Sequence, residues 1–338
     1  MRTKRIAAAL FVCTAWMTVS SCSPRPDAPA RASAFPTFTD IATACGMTFQ
    51  HDNGFDGRHY RVVETVNGGV GLLDYDGDGL LDVYFTNARR PEAGANASRN
   101  ALYRQGSDGA FTDVAAAARV DDASFSLGCA VADVNGDRRP DLYVTNLGPN
   151  RLYRNNGDGT FTDTAPEAGV AGNSMDSGSA FLDMDRDGDL DLYVASYVVD
   201  EGGEGGEGAR HQPLIVRGVP GYWPPRNYKP APHHLYENKG DGRFIDVSEA
   251  SGIRAVEEPG RGLGVIAADF NNDGNPDLYV ANDMTANFMF LGDGKGRFTE
   301  AGFMNGTALG EQGDVLGSMG VDAAHYDGPD ARLGAFRT

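Results

Sequence analysis

The sequence predicts an all-β chain built from one repeated four-stranded unit, on three observations. A nine-residue acidic loop with acids or Asn at its positions 1, 3, 5 and 9 occurs four times, beginning at residues 74, 133, 183 and 269. Each copy runs into alternating apolar residues (Leu142 and Val144; Leu192 and Val194; Leu278 and Val280), the period of two that marks a strand. Two further short patterns, Leu-Tyr-Arg and Phe-Thr-Asp, then return in the same order before the next loop.

Residues 1–21 read as an export signal: Arg2, Lys4 and Arg5 give a positive start, and Ile6 to Val19 is mostly apolar. Val19-Ser-Ser-Cys22 resembles a bacterial lipobox, in which Cys22 is lipidated and becomes the new N-terminus. Ser23 after it implies, by the same resemblance, the outer membrane or its periplasm-facing side. Plain secretion is the alternative. Residues 22–34, rich in Pro, Ala, Ser and Arg, read as a flexible tether. No later stretch approaches the ~20 apolar residues that span a bilayer.

Residues 35–338 hold the repeats. Residues 35–49 carry an early copy of the Phe-Thr-Asp pattern at Phe38, where a fourth strand is expected. The first loop is Asp74, Asp76, Asp78 and Asp82, with Leu80 at position 7. The others are Asp133, Asn135, Asp137, Arg139 and Asp141; Asp183, Asp185, Asp187, Asp189 and Asp191; and Asp269, Asn271, Asp273, Asn275 and Asp277. A fifth, around His325 and Asp327, is eroded.

Carboxylates at this density repel one another unless a cation sits among them. Hard oxygen donors suit Ca²⁺, which takes six to eight of them. The position 7 residues (Leu80, Arg139, Asp189, Asn275) would offer a backbone carbonyl, and Gly77 and Gly79 permit the turn. An EF-hand is excluded, because it needs Glu at position 12 and flanking helices. About four Ca²⁺ sites are therefore expected in β-hairpins, with Asp74–Asp82 and Asp183–Asp191, each bearing four Asp at those positions, the tightest.

A glycine-rich apolar strand leads into each loop, Leu-Tyr-Val leaves it, Leu-Tyr-Arg is third and Phe-Thr-Asp fourth. First positions at 74, 133, 183, 269 and 325 are spaced by 59, 50, 86 and 56 residues. The long interval contains an insertion at 197–232, whose Tyr222 and Trp223 suit either a recognition loop or a lid packed over one face. Four short strands in roughly 50 residues, repeated, is the pattern of a β-propeller blade.

Net charge is −18, or −21 once residues 1–21 are removed. That excludes nucleic acid, whose phosphates need Lys and Arg, and argues against docking of the body on anionic lipid. Cys45 and Cys129 remain in the mature chain, either bonded or as two small buried residues. The six histidines lack metal-protease spacing, and no Gly-x-Ser-x-Gly, Cys-x-x-Cys or phosphate-cradling loop occurs. His233 and His234 read as turn residues.

The glycine-rich first strand, the Asp-x-Asp-x-Asp-Gly-x-x-Asp-Leu loop and the Phe-Thr-Asp ending resemble FG-GAP/VCBS repeats, the blades of integrin α-chain propellers. The alternation of Leu-Tyr-Arg-Asn with Gly-Asp-Gly-Thr-Phe-Thr-Asp resembles the cartilage-acidic-protein-like family. That resemblance implies a seven-bladed, exported propeller with Ca²⁺ in its hairpins, often followed by a UnbV/ASPIC domain. About five blades are visible, so a truncated chain is expected. The expected role is a non-catalytic, calcium-stabilised cell-envelope lipoprotein that binds protein or polysaccharide and meets the membrane through its N-terminal lipid only. The alternative is the propeller part of a polysaccharide lyase or hydrolase. A cluster of acids, Tyr, His or Arg in the central channel would distinguish the two. A spacer for a missing domain is a third reading.

Overall fold

Four copies of one antiparallel sheet dominate the computed structural model, which describes residues 38–88, 98–199, 212–324 and 334–337. The first blade is β1 (Val70–Leu73), β2 (Asp82–Phe85), β3 (Ala101–Gln105) and β4 (Phe111–Asp113). The second is β5 (Phe125–Ala132), β6 (Asp141–Gly148), β7 (Arg151–Asn155) and β8 (Phe161–Asp163). The third is β9 (Ser174–Leu182), β10 (Asp191–Ser196), β13 (His234–Asn238) and β14 (Phe244–Asp246), interrupted by a hairpin in the insertion, β11 (Leu214–Val216) and β12 (Val219–Gly221). The fourth is β15 (Gly262–Ala268), β16 (Asp277–Asn282), β17 (Phe288–Gly292) and β18 (Phe298–Glu300). A further pair, β19 (Val321–Ala324) and β20 (Gly334–Arg337), begins a fifth.

In each blade the strands pair in chain order. Blades two and three are also joined where β6 runs on to meet β9, at Leu147 opposite Met175 and Gly148 opposite Ser174. These are the four-stranded blades of a β-propeller. The loops expected to hold cations connect first to second strands, as the sequence predicts.

Chain contacts divide the protein into residues 1–40 and 41–338. Of the first unit only residues 38–40 are described, so Cys22, the signal and the tether lie outside the described residues. The fifth loop at His325 and Asp327 does too. Phe38–Asp40 is not in a strand, and residues 42–46 form a turn. That turn copies the element found after each fourth strand: a single helical turn closed by a left-handed residue. The helical turns are α1 (Ala115–Ala118), α2 (Ala165–Ala168), α3 (Ser248–Ser251) and α4 (Gly302–Asn305). The closing residues are Arg119, Gly169, Gly252 and Gly306, matched by Gly46 at φ 87°.

A blade buries its faces only against its neighbours. Leu73, Tyr84 and Leu102 of the first pack with Leu142, Val144, Tyr153 and Phe161 of the second. Tyr143 and Leu152 pack with Leu192, Val194, Tyr236 and Phe244. Tyr193 and Leu235 pack with Leu278, Val280, Phe290 and Phe298. The glycines of the first strands allow their close approach: a Cβ on Gly128 would collide with the Ser177 carbonyl, and one on Gly178 with that of Leu263. Cys45 and Cys129 are not bonded to each other. Cys45 Sγ donates to the Ala42 carbonyl instead.

The first strands line a central cavity of about 510 Å³ with Gly69, Gly128, Gly178, Gly264 and Gly320. Apolar residues sit at one end: Val62, Val63, Leu127 and Met175 pack with Tyr197, Val198 and Tyr228 of the insertion. The described residues of the insertion are thus packed against the body. Tyr222 lies edge-on to Tyr60 at 5.1 Å and its hydroxyl donates to buried Glu64 at 3.0 Å, while Trp223 Nε1 donates to the Gln212 carbonyl at 3.0 Å. His233 is buried, its Nδ1 2.6 Å from Tyr193 OH, and His234 opens β13, which corrects the reading of the pair as turn residues.

Candidate metal centre

Each acidic loop bends because positions 4 and 6 both take left-handed backbone. In the first loop these are Gly77 (φ 76°) and Gly79 (φ 85°), but elsewhere Arg138, Arg186 and Asn272 do the same at φ 65°, 65° and 61°. Left-handed backbone is unfavourable for such residues. The compensation is visible at position 1, whose carboxylate collects the amides the bend turns inward. Asp74 Oδ1 accepts from Gly77 N (2.9 Å) and Asp78 N (3.0 Å), and Oδ2 from Gly79 N (2.9 Å). Asp133 accepts from Asp137 N at 3.1 Å and Arg138 N at 2.6 Å, and Asp269 from Asp273 N at 3.1 Å and Gly274 N at 2.8 Å.

Position 9 closes the loop. Asp82, Asp141, Asp191 and Asp277 are all buried. One oxygen of each takes the amide of position 2, from Tyr75, Val134, Met184 and Phe270. The other takes an amide of the third strand, from Gln105, Asn155, Asn238 and Gly292, at 2.8–2.9 Å. Burial pushes these carboxyls up, Asp141 to about 6 and Asp191 to about 7, with Asp82 and Asp277 raised in the same direction. Position 9 is thus a structural staple as well as a candidate ligand.

Two loops bring carboxylates together. Oxygens of Asp74, Asp76 and Asp78 lie within 4.8 Å of one another, as do those of Asp183, Asp185 and Asp191. In the two loops with Asn, the Asn amide instead donates to position 5, Asn135 to Asp137 and Asn271 to Asp273, both at 3.0 Å. At position 7 the amides of Leu80, Arg139, Asp189 and Asn275 donate to position 5 at 2.8–3.0 Å.

The third loop best fits a cation. Asp183 Oδ2 takes one amide, Gly188 N at 3.2 Å, while Oδ1 is buried with no hydrogen-bond partner. A buried oxygen without a partner costs free energy unless something supplies positive charge. Asp185 beside it is raised by burial and by the negative charges of Asp187, Glu237 and Asp183. The donor set is all oxygen, as Ca²⁺ and other hard cations require.

Sequence reading missed how the loops hold the blades together. The position 2 side chain enters the next blade: Tyr75 stacks on Phe161 at 6.2 Å, and Val134 and Met184 join the clusters of Phe244 and Phe298. The amide of Asn155 donates back to the Tyr75 carbonyl and that of Asn238 to Val134, each at 2.8 Å. In the fourth blade Gly296 N takes this role on the Met184 carbonyl, at 3.2 Å. The signal was present as Leu-Tyr-Arg-Asn and Leu-Tyr-Glu-Asn, but its target is not readable from spacing.

The described residues that line the central cavity are glycine, Ser, Thr, Asn67, Cys129 and aliphatic side chains. The acids, Tyr, His or Arg that a polysaccharide-cleaving centre there would use do not converge among them.

FG-GAP-like repeats match at residues 74–144, 133–194, 228–280 and 269–328. Cartilage acidic protein 1 of Xenopus tropicalis is 39% identical over 72 residues, 20% of this chain and 11% of that protein. The Homo sapiens protein is 39% identical over 51 residues, 15% and 7% of the two chains. The match thus spans about a tenth of those relatives. Among solved structures, an Agrocybe aegerita lectin that recognises non-reducing terminal N-acetylglucosamine is 18% identical, with TM-score 0.37, covering 68% of this chain and 49% of the lectin. The exotype rhamnogalacturonan lyase YesX is 14% identical, with TM-score 0.27, covering 80% and 38%. Neither likeness bears on what this chain binds.

Proposed function

Because the chain belongs to the FG-GAP-like repeat family, we propose that it is a non-catalytic, calcium-stabilised β-propeller that presents a binding surface for protein or polysaccharide at the cell envelope. The observation that carries the calcium reading is the buried, unpartnered Asp183 Oδ1 beside Asp185 and Asp191. Asp183, Asp185, Asp187 and Asp191 would hold the ion there, with the Asp189 carbonyl as a further donor. Asp74, Asp76, Asp78, Asp82 and the Leu80 carbonyl are the second set.

A bound Ca²⁺ supplies two positive charges that relieve the repulsion among these carboxylates. It thereby fixes the loop whose second residue keys into the next blade. Tethering through Cys22 rests on the lipobox-like sequence at residues 19–22 alone. The acidity of the chain supports a partner that is not nucleic acid.

Calcium titration followed by thermal unfolding tests the first part. The midpoint rises with added Ca²⁺ and falls with EDTA; a midpoint unmoved by either sinks it. Labelling of the exported chain by a lipid precursor, lost in Cys22→Ser, tests the tether. A glycan array and an envelope pull-down test the partner class.

A further inference from the structure

Sheet register brings one position of each third strand to the mouth of its acidic loop. Tyr103 lies opposite Val83, Tyr153 opposite Leu142, Tyr236 opposite Leu192 and Phe290 opposite Leu278. The next residue is Arg104, Arg154, Glu237 or Leu291. The loops themselves repeat, yet this position changes sign.

In the first blade the Arg104 guanidinium reaches back over the loop. Its Nε donates to Asp76 Oδ2 and its Nη2 to Asp78 Oδ2 at 2.9 Å. Two of the three clustered aspartates are therefore already neutralised from within the chain. In the second blade Arg139, at position 7 of the loop, places its Nη2 2.6 Å from Asp137 Oδ2. In the third blade the equivalent of Arg104 is Glu237, whose negative charge acts on Asp185. Its own ion pair is with Lys239, an exposed ammonium two residues along. A sixth acid thus stands at the loop where Asp183 Oδ1 lacks a partner.

We infer that, between the first and third loops, the residue after the third-strand aromatic decides which takes a divalent ion. Arg104 acts as the resident cation of the first loop, and Glu237 reserves the third for Ca²⁺. This rests on the calcium reading above. An incoming ion must displace the guanidinium and then sit beside its positive charge, whereas at the third loop the equivalent residue, Glu237, adds negative charge that its pair with Lys239 only partly offsets. Exposed guanidinium–carboxylate pairs are individually weak. The first loop is therefore disadvantaged, not abolished, by about tenfold in affinity for the two pairs together.

The test is calorimetric titration of Ca²⁺ alone into the EDTA-stripped full chain, with folding checked by circular dichroism. The wild type shows one tight site, which Asp183→Asn removes. Arg104→Gln adds a second tight site of about tenfold higher affinity than the first loop had, and that site survives in the Arg104→Gln, Asp183→Asn double variant. Glu237→Arg weakens the original site by about tenfold. Binding that is present but unchanged by Arg104→Gln and Glu237→Arg overturns the inference while leaving the calcium reading standing. No binding in any variant overturns both.

Discussion

The first and third acidic loops carry the same four aspartates at positions 1, 3, 5 and 9, and they are held in different ways. In the first, Asp74 is saturated by three amides, Arg104 pins Asp76 and Asp78, and Asn155 of the next blade grips the Tyr75 carbonyl. In the third, Asp183 takes one amide, the mouth carries Glu237 in place of the guanidinium, and Gly296 N holds the Met184 carbonyl at 3.2 Å. A motif therefore does not specify a site by itself. The first loop satisfies its acids with the chain's own groups; the third leaves them for something from solution.

The position 9 aspartates should give the largest effects, because the two loops are alike there. Asp82→Ala and Asp191→Ala each leave two buried amides without an acceptor. Each should destabilise by about 2–5 kcal/mol in chelator, read from urea unfolding. Calcium then separates them: it restores none of the loss at Asp191→Ala, whereas in Asp82→Ala the intact third loop still responds. Equal calcium responses in the two variants would break the distinction.

The grip of the next blade comes second. Asn155→Ala removes a buried side-chain donor from the Tyr75 carbonyl, at a cost of about 1–3 kcal/mol. No side chain plays that part for the third loop, where position 292 is glycine and a Cβ would strike the Pro276 carbonyl. Gly292→Asn should therefore not install the missing tie and should destabilise instead. A Gly292→Asn protein more stable than the wild type would show that the fourth blade has room the geometry denies it. Smaller again is the calcium term: at free Ca²⁺ tenfold above its dissociation constant one site adds about 1.4 kcal/mol. That is a rise of roughly 2 °C in a domain of this size. Four equal sites would add about 6 kcal/mol, so the size of the rise counts the loops that respond.

The fold was legible because blade strands announce themselves twice, by period-two apolarity and by a loop whose acids cannot lie elsewhere. Leu278 and Val280 sufficed for β16. The third and fourth strands of that blade could not be placed by letters, since Met289-Phe-Leu and Phe298-Thr-Glu stand where the other blades have Leu-Tyr-Arg and Phe-Thr-Asp. The one-turn helices after each fourth strand are too short to show a period. Phe38–Asp40 carries the fourth-strand letters but is not in a strand. The pairing of Arg104 with its loop was invisible because 28 and 26 residues separate it from Asp76 and Asp78, and only sheet register joins them. The two four-aspartate loops look alike in the sequence for that reason.

The pH dependence comes last, and its sign differs from that of an ordinary surface carboxylate. Burial holds Asp191 at about 7 and Asp141 at about 6, with Asp82 raised also, against a usual 3.8. The folded chain thus keeps protons that the unfolded chain releases. The associated stability is fully present below pH 3.8 and is lost as pH rises through the folded values, up to about 7. In chelator, the contribution of Asp191 therefore declines between about pH 4 and 7, and Asp191→Asn removes that part of the slope. Calcium favours the ionised form and moves the loss to lower pH, so the wild type with saturating Ca²⁺ should lie flatter across the window than the wild type in EDTA. Melting curves at intervals from about pH 4.5 to 7.5, with and without Ca²⁺, measure the difference. Because Arg104 already supplies positive charge at the first loop, calcium should change the contribution of Asp82 less than that of Asp191. A Ca²⁺-dependent slope change that persists unaltered in Asp191→Asn but vanishes in Asp82→Asn would reverse the assignment of the two loops.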